Sequence, residues 1–252
     1  MRVATFNILH GLLPGDDRVD PARLAEAVRS LDADVLALQE VDRNQPRSGR
    51  VDLTAVAAEA MGAVDHWFVA ALLGTPGDAW VPATGPERLD RPAYGIALLS
   101  RLPVASWRVV RLPALRVPVP ERVPGRRLPT LAREEPRVGV VAEISPPSGP
   151  VTVVNTHLSF LPWWNRHQLR ALVAAVASAP RPLLVLGDLN MGPEKAGALS
   201  GLCSLARHPT FPAEAPTRQI DHVLVDGPLQ AESSRALQMS LSDHRALVVD
   251  LT

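Results

Sequence analysis

Short apolar runs recur along this chain, and several end in a carboxylate, amide or imidazole side chain. Asp34-Val-Leu-Ala-Leu-Gln-Glu40 leads into Glu40, Val151-Thr-Val-Val-Asn-Thr-His157 into His157, and Leu183-Leu-Val-Leu-Gly-Asp-Leu-Asn190 into Asp188 and Asn190. Gln219-Ile-Asp-His-Val-Leu-Val225 and Ser242-Asp-His-Arg-Ala-Leu-Val-Val249 reverse the order, with Asp221 and the pair Asp243 and His244 ahead of the apolar run. Such runs predict buried β-strands. The end of a buried strand is a stiff support at the point where the chain meets solvent. These ends therefore predict one site assembled from the whole length of the chain.

Helical spacing alternates with the strands. Asp20 is a good N-cap and Pro21 a good first helical residue, and Leu24, Val28 and Leu31 follow as an apolar stripe. A second helix is expected from about Leu53 to Met61, stopped by Gly62, and a third over Arg166–Ser178, closed by Ala179 and Pro180. Arg2–Ile8, Ile96–Ser100, Trp107–Arg111 and Val138–Ile144 read as further strands, and two or three short ones close the chain. No repeat or long linker interrupts this order, so residues 1–252 are expected to form one domain. The stretch from Arg108 to Arg137 differs, with eight arginines against three glutamates and six prolines. It reads either as a solvated, proline-stiffened excursion or as a basic flap near a polyanionic substrate.

Composition removes several classes of function. Basic and acidic residues balance at 26 each, so no global charge draws the chain to nucleic acid or to an anionic membrane. Lys195 is the one lysine. Cys203, the one cysteine, excludes an intrachain disulfide and a thiolate zinc cluster. No apolar run approaches the roughly 20 residues of a membrane span. The first residues already read as a strand rather than a signal peptide, which makes a cytoplasmic location the expectation. A monomer is the default, since nothing readable encodes an oligomer.

The strand-end residues suggest a chemistry. Asn7 interrupts an apolar first strand and needs a partner there. If its strand neighbours the one ending at Glu40, the two side chains offer hard oxygen ligands suited to Mg²⁺ or Mn²⁺. Asp188 and Asn190 stand two apart, on one side of an extended segment, and together can orient a water molecule. An aspartate bonded to an imidazole raises its basicity, so Asp221 would orient His244 while Asp243 faces the metal. His157 reads equally as a core histidine. A serine triad on Ser242 or Ser159 is the competing chemistry, but the chain has no Gly-x-Ser-x-Gly elbow.

Taken in order, Thr5-Phe-Asn-Ile8, Leu38-Gln-Glu-Val41, Asn155-Thr-His-Leu158, Gly187-Asp-Leu-Asn190, Ile220-Asp-His222 and Ser242-Asp-His244 span nearly the whole chain. This ordered set resembles the endonuclease/exonuclease/phosphatase superfamily, the DNase-like metallophosphoesterases. Asn7-Ile-Leu-His-Gly11, Glu40-Val-Asp-Arg43 and Arg47-Ser-Gly49 look like a bacterial branch whose substrates are poorly defined. The resemblance implies an α+β, four-layer α/β sandwich: two packed, mostly antiparallel β-sheets flanked by helices, with the site at one rim.

The resemblance also implies roles. Asn7 and Glu40 would hold Mg²⁺ or Mn²⁺, with Asp243 contributing. Asp188 and Asn190 would position or activate the attacking water and contact the phosphate. His157 would contact the phosphate or protonate the leaving oxygen, and His244, paired with Asp221, would act as acid/base or stabilise the pentacovalent phosphorus. The chain departs from the pattern at Ile96, where many members carry asparagine, and Tyr94 is a weak candidate for an extra tyrosine beside the first histidine. The expected partner is a phosphate-ester substrate, either nucleic acid or a small phosphodiester or phospholipid head group. Trp163 and Trp164 could stack on a base, dip into a lipid interface, or simply pack the following helix, and Arg166 could contact phosphate or start that helix. A catalytically silent member that binds phosphorylated ligands or a protein partner is the alternative.

Overall fold

A computed structural model describes residues 1–85, 90–115, 117–121, 130–147 and 149–252. Its elements run β1 (Arg2–Asn7), α1 (Pro21–Leu31), β2 (Val35–Arg43), α2 (Leu53–Met61), β3 (Asp65–Gly74), β4 (Trp80–Pro82), β5 (Ala93–Ser100), β6 (Val104–Arg111), β7 (Val119–Glu121) and β8 (Thr130–Ala132). They continue with β9 (Val138–Ile144), β10 (Val151–His157), α3 (Pro162–Ala175), β11 (Leu183–Asp188), α4 (Pro193–Ser200), β12 (Cys203–Ser204), β13 (Asp221–Asp226), β14 (Ala231–Leu237) and β15 (Ala246–Leu251). One sheet has the order β14-β15-β1-β2-β5-β3-β4, the other β12-β13-β11-β10-β9-β6, and β7 and β8 pair separately. Within the two main sheets β1–β2 and β10–β11 are parallel and the other pairs antiparallel.

Three apolar cores separate four layers. The first joins Leu24, Val28 and Leu31 of α1 and Leu53, Ala57 and Met61 of α2 to Ala4 and Phe6 of β1 and Leu36 and Leu38 of β2. The second lies between the sheets, where Val3, Val35 and Ala37 meet Val140, Val153, Leu184, Leu186 and Val223. The third packs Leu169 and Leu172 of α3 and Ala196 of α4 on Val154, Leu183 and Val185. This is the four-layer sandwich of DNase-like folds. Among the described residues no helix is long and apolar enough to cross a membrane.

Several boundaries differ from the sequence expectations. The third helix spans Pro162–Ala175 rather than Arg166–Ser178, because Pro162 supplies a preset first helical residue after the extended Leu161. β5 begins at Ala93 and β6 at Val104, earlier than their apolar cores suggest, and β2 continues past Gln39 to Arg43. Strand β3 and helix α4 have no counterpart in the sequence reading. The basic stretch continues β6, forms the β7–β8 hairpin and returns through residues 133–137; Arg116, Arg122, Arg126 and Arg127 lie outside the described residues.

Strand alternation places the chemistry. Successive side chains point to opposite faces, and Val3 in β1, Val153 in β10, Leu184 and Leu186 in β11, and Val223 and Val225 in β13 all face the layer between the sheets. Continuing the same parity to the strand ends gives Asn7, His157, Asp188 and Asp221. Gln39 and Asn155 share that parity one step deeper. Gln39 Nε2 donates to Asn155 Oδ1 (2.7 Å), while Asn155 Nδ2 donates to Leu38 O (2.9 Å) and Ala97 O (2.7 Å). This fully buried network ties the two sheets together directly beneath the rim.

Candidate active site

Glu40 has the wrong parity for the site, since Leu36 and Leu38 face the helices. A β-bulge corrects it. The β2–β5 register slips between Leu38, opposite Ala97, and Val41, opposite Gly95, and Glu40 takes φ +55°. Past the bulge the alternation is inverted, and Val41 now packs on the helix side. A bulge with a left-handed non-glycine residue is a local strain that redirects a side chain. Here it turns Glu40 toward Asn7.

Asn7 Nδ2 lies 3.1 Å from both Glu40 Oε1 and Asp188 Oδ2, bridging a carboxylate of each sheet, and its Oδ1 accepts from Leu9 N–H (3.1 Å). Asp188 is 2% exposed. Its Oδ1 accepts from Asn190 N–H (2.9 Å), and its Oδ2 is 3.5 Å from His157 Nε2 and 3.9 Å from His244 Nε2. Asn190 is not extended as its spacing from Asp188 suggested. It sits at φ +51°, so the two side chains converge through a tight turn instead of strand alternation. Gly187, at φ +141°, must be glycine: a Cβ there would stand 1.9 Å from Thr156 O.

The two histidines differ in environment. His244 Nδ1 donates to Asp221 Oδ2 (2.9 Å), and Asp221 is wholly buried. Burial works against the imidazolium, but Asp221, then Asp188 and Asp243, more than offset it and push His244 up to about 10. His157, by contrast, is held well below its ordinary 6.5, first by burial and then by the cations Arg137 and His244. Burial and the nearby Asp221 push Asp188 up to about 7. Environments that drive neighbouring groups apart in this way assign different proton roles. Ser242 Oγ donates to Asn7 O (2.6 Å) and accepts from His244 N–H, and Ser159 Oγ accepts from Leu161 N–H. These contacts are to backbone groups and not to an imidazole, which counts against the serine-triad reading.

A cavity of about 770 Å³ opens over these residues, lined among others by Glu40, His157, Asp188, Asn190 and His244. Asn7 and Asp221 stand behind that lining as partners of Glu40, Asp188 and His244. Asp243, 37% exposed, is not among the residues that line the cavity, and its Oδ1 stands 4.0 Å from Nε2 of its sequence neighbour His244. Seven of the eight predicted site residues thus gather at one rim, and Asp243 sits beside them as the neighbour of His244.

The family model for the endonuclease/exonuclease/phosphatase family matches residues 4–244. The chain belongs to that family. Its fold matches an endonuclease/exonuclease/phosphatase from Beutenbergia cavernae at TM-score 0.75 and 25% identity, over 100% of this chain and 71% of the other. It also matches the human Nocturnin catalytic domain (TM-score 0.67, 21% identity, 100% and 93% covered). A mannosyl-6-phosphatase of Bacteroides thetaiotaomicron gives 0.66 at 15%, with 100% and 99% covered. A search of curated proteins by sequence finds no match.

Family members are metal-dependent phosphoesterases, and the donor set here suits a hard divalent cation. Glu40 and Asp188 bring carboxylate oxygens to a common neighbour, Asn7, and the single thiol, Cys203, lies exposed on β12. Asp188, Asp221 and His244 also present ligand atoms within 4.8 Å of one another. There, however, the Nδ1–Asp221 bond already engages one imidazole nitrogen.

Other residues reach the cavity, among them Tyr94, the weak tyrosine candidate, and several that the sequence did not assign. Arg47 makes a bidentate pair with buried Asp42 (2.8 Å each) and lies over Tyr94, while Arg133 covers Trp80 at 4.3 Å. Arg133, Glu134, Glu135 and Arg137, the end of the basic stretch, line the cavity as well, so part of that stretch does reach the site. Trp163 is 56% exposed and meets Trp164 in the first turn of α3 with the rings tilted 59° and their centroids 5.5 Å apart, whereas Phe160, just ahead of them, lines the cavity. Arg166 lines a smaller neighbouring pocket of about 310 Å³ that shares Asn190 and Arg218 with the main one.

Proposed function

We propose that this protein hydrolyses a phosphate ester, a phosphodiester or a related ester, by in-line attack of water with Mg²⁺ or Mn²⁺ bound. The supporting observation is the convergence on Asp188 of Asn7 and Glu40 from one sheet and of His157, Asn190 and the Asp221–His244 pair around it. Glu40 and Asp243 would hold the cation, with Asn7 able to join only through Oδ1, since its Nδ2 donates to the two carboxylates; the cation when bound neutralises phosphoryl charge and stabilises the leaving oxygen. Asp188, raised to about 7, accepts a hydrogen bond from the attacking water and takes its proton near neutral pH. Asn190 holds that water and the phosphate in line. His244, a cation at neutral pH, faces through Nε2–H the negative charge carried by the phosphoryl oxygens in the transition state.

The cavity volume falls within the range of about 300–1,000 Å³ typical of small-ligand pockets, which favours a compact ester or one splayed nucleotide over a duplex. Purified protein with Mg²⁺ or Mn²⁺ is expected to turn over at least one of bis(p-nitrophenyl) phosphate, sphingomyelin, inositol phosphates, RNA and plasmid DNA. Asp188→Ala should abolish that turnover. Equal rates in Asp188→Ala and wild type would refute the site, and ligand uptake without product would mark a silent member.

A further inference from the structure

Arg137 enters the cavity from the segment ahead of β9 and is almost fully buried. Its Nη1 lies 3.2 Å from His157 Nδ1, and its Nη2 lies 3.4 Å from Glu134 Oε1 and 3.6 Å from Glu135 Oε2. A guanidinium has only donors and keeps its charge at any accessible pH. The contact to His157 therefore allows one assignment: Nδ1 is the bare, accepting nitrogen, and the proton sits on Nε2.

A competing contact exists on the other side of the ring. Asn190 Nδ2 lies 3.4 Å from His157 Nε2. The Asn190 amide cannot be turned over, because Nδ2 also donates to Leu158 O (3.0 Å). A neutral imidazole has one acceptor and cannot serve both donors. The shorter contact carries the full charge of Arg137 and is the stronger. Asp188 Oδ2, 3.5 Å from Nε2, is an acceptor and agrees with a proton there. His157 Nε2–H and the second hydrogen of Asn190 Nδ2 are then adjacent donors with no acceptor shared between them, at the edge of the cavity where Asp188 would hold water. One anionic oxygen would satisfy both.

We propose that Arg137 is a positioning residue that locks His157 as the neutral Nε2–H tautomer, so that His157 and Asn190 together donate to a non-bridging phosphoryl oxygen and His157 transfers no proton. The second half of this proposal rests on the phosphoesterase reading; the tautomer does not. The depressed pKa of His157 supports a ring that stays neutral.

The test is ¹⁵N-resolved NMR of the imidazoles, with His157 assigned from its absence in His157→Gln. Wild type should show a bare Nδ1 and a protonated Nε2 near neutral pH. In Arg137→Met the Nδ1-protonated form should appear, and kcat should fall roughly tenfold to a hundredfold with KM little changed. Arg137→Gln, which keeps a donor, should retain the wild-type tautomer. A protonated Nδ1 in wild type overturns the proposal, as does a folded Arg137→Met variant with an unchanged tautomer. The wild-type spectrum decides even if that variant fails to fold, and it decides independently of whether any phosphate ester is turned over.

Discussion

Asp221→Asn tests the Asp221–His244 pair most sharply, because it keeps the shape and an acceptor for His244 Nδ1–H but removes the charge. The rise of His244 from 6.5 to about 10 corresponds to roughly 5 kcal/mol in favour of the imidazolium, achieved against the burial that opposes it. Asp221, at 2.9 Å, supplies the largest favourable share, while Asp188 and Asp243 stand 3.9 and 4.0 Å from the other nitrogen. Without Asp221's charge, burial faces only those two carboxylates, and the pKa should drop by about 2–4 pH units. His244 would then be largely neutral under conditions where the wild type is charged, and kcat should fall by roughly 10²–10³.

Stability should follow the same group. Its folded pKa is raised, so its contribution is fully present below 6.5 and is lost as pH rises through about 10. The stability gap between wild type and Asp221→Asn should therefore narrow across that window. The assays are an NMR titration of His244 and denaturant unfolding at several pH values. A pKa unchanged in Asp221→Asn would refute the reasoning.

Other outcomes follow from the same geometry. Asp188 has a raised pKa, so its ionisation costs the metal-free fold stability that is lost as pH rises from 3.8 to about 7. Asp188→Asn should be inactive yet more stable than wild type by up to about 4 kcal/mol above pH 7, with the gap closing toward pH 4 in urea titrations under chelator. Asn155→Leu removes the donor that the Leu38 and Ala97 carbonyls share and the acceptor of one Gln39 Nε2 hydrogen, the other still reaching Thr5 Oγ1, which should cost roughly 3 kcal/mol in the same assay; a loss under about 1 kcal/mol would show the network to be dispensable. Gly187→Ala forces a Cβ against Thr156 O and should lower both melting temperature and turnover, since Asp188 must move with the strand end.

Much of the arrangement was legible because strand-end residues follow their strand's own alternation. Asn7, His157, Asp188 and Asp221 each lie an even number of residues from an inward-facing apolar residue, so naming the strand was enough to place them. Glu40 was found by its motif but reached the site only through a bulge with positive φ, which no periodicity announces. Asn190 likewise turned out to sit in a left-handed turn. Strand β3 escaped because Asp65–Trp67 give it a polar start, and α4 because its eight residues offer too short a period. Arg137 was hidden in a stretch whose charge reads as solvated surface. Its burial depends on Glu134, Glu135 and a cavity formed by distant segments.

The central claim is metal-dependent phosphate-ester hydrolysis at the Asp188 rim, and chelation tests it most directly. With bis(p-nitrophenyl) phosphate, or the best ester in the panel, rates should vanish in EDTA and return with excess Mg²⁺ or Mn²⁺, and Glu40→Gln should need much higher metal to recover. Turnover that persists in EDTA, or a Glu40→Gln variant with wild-type metal dependence, would contradict the account.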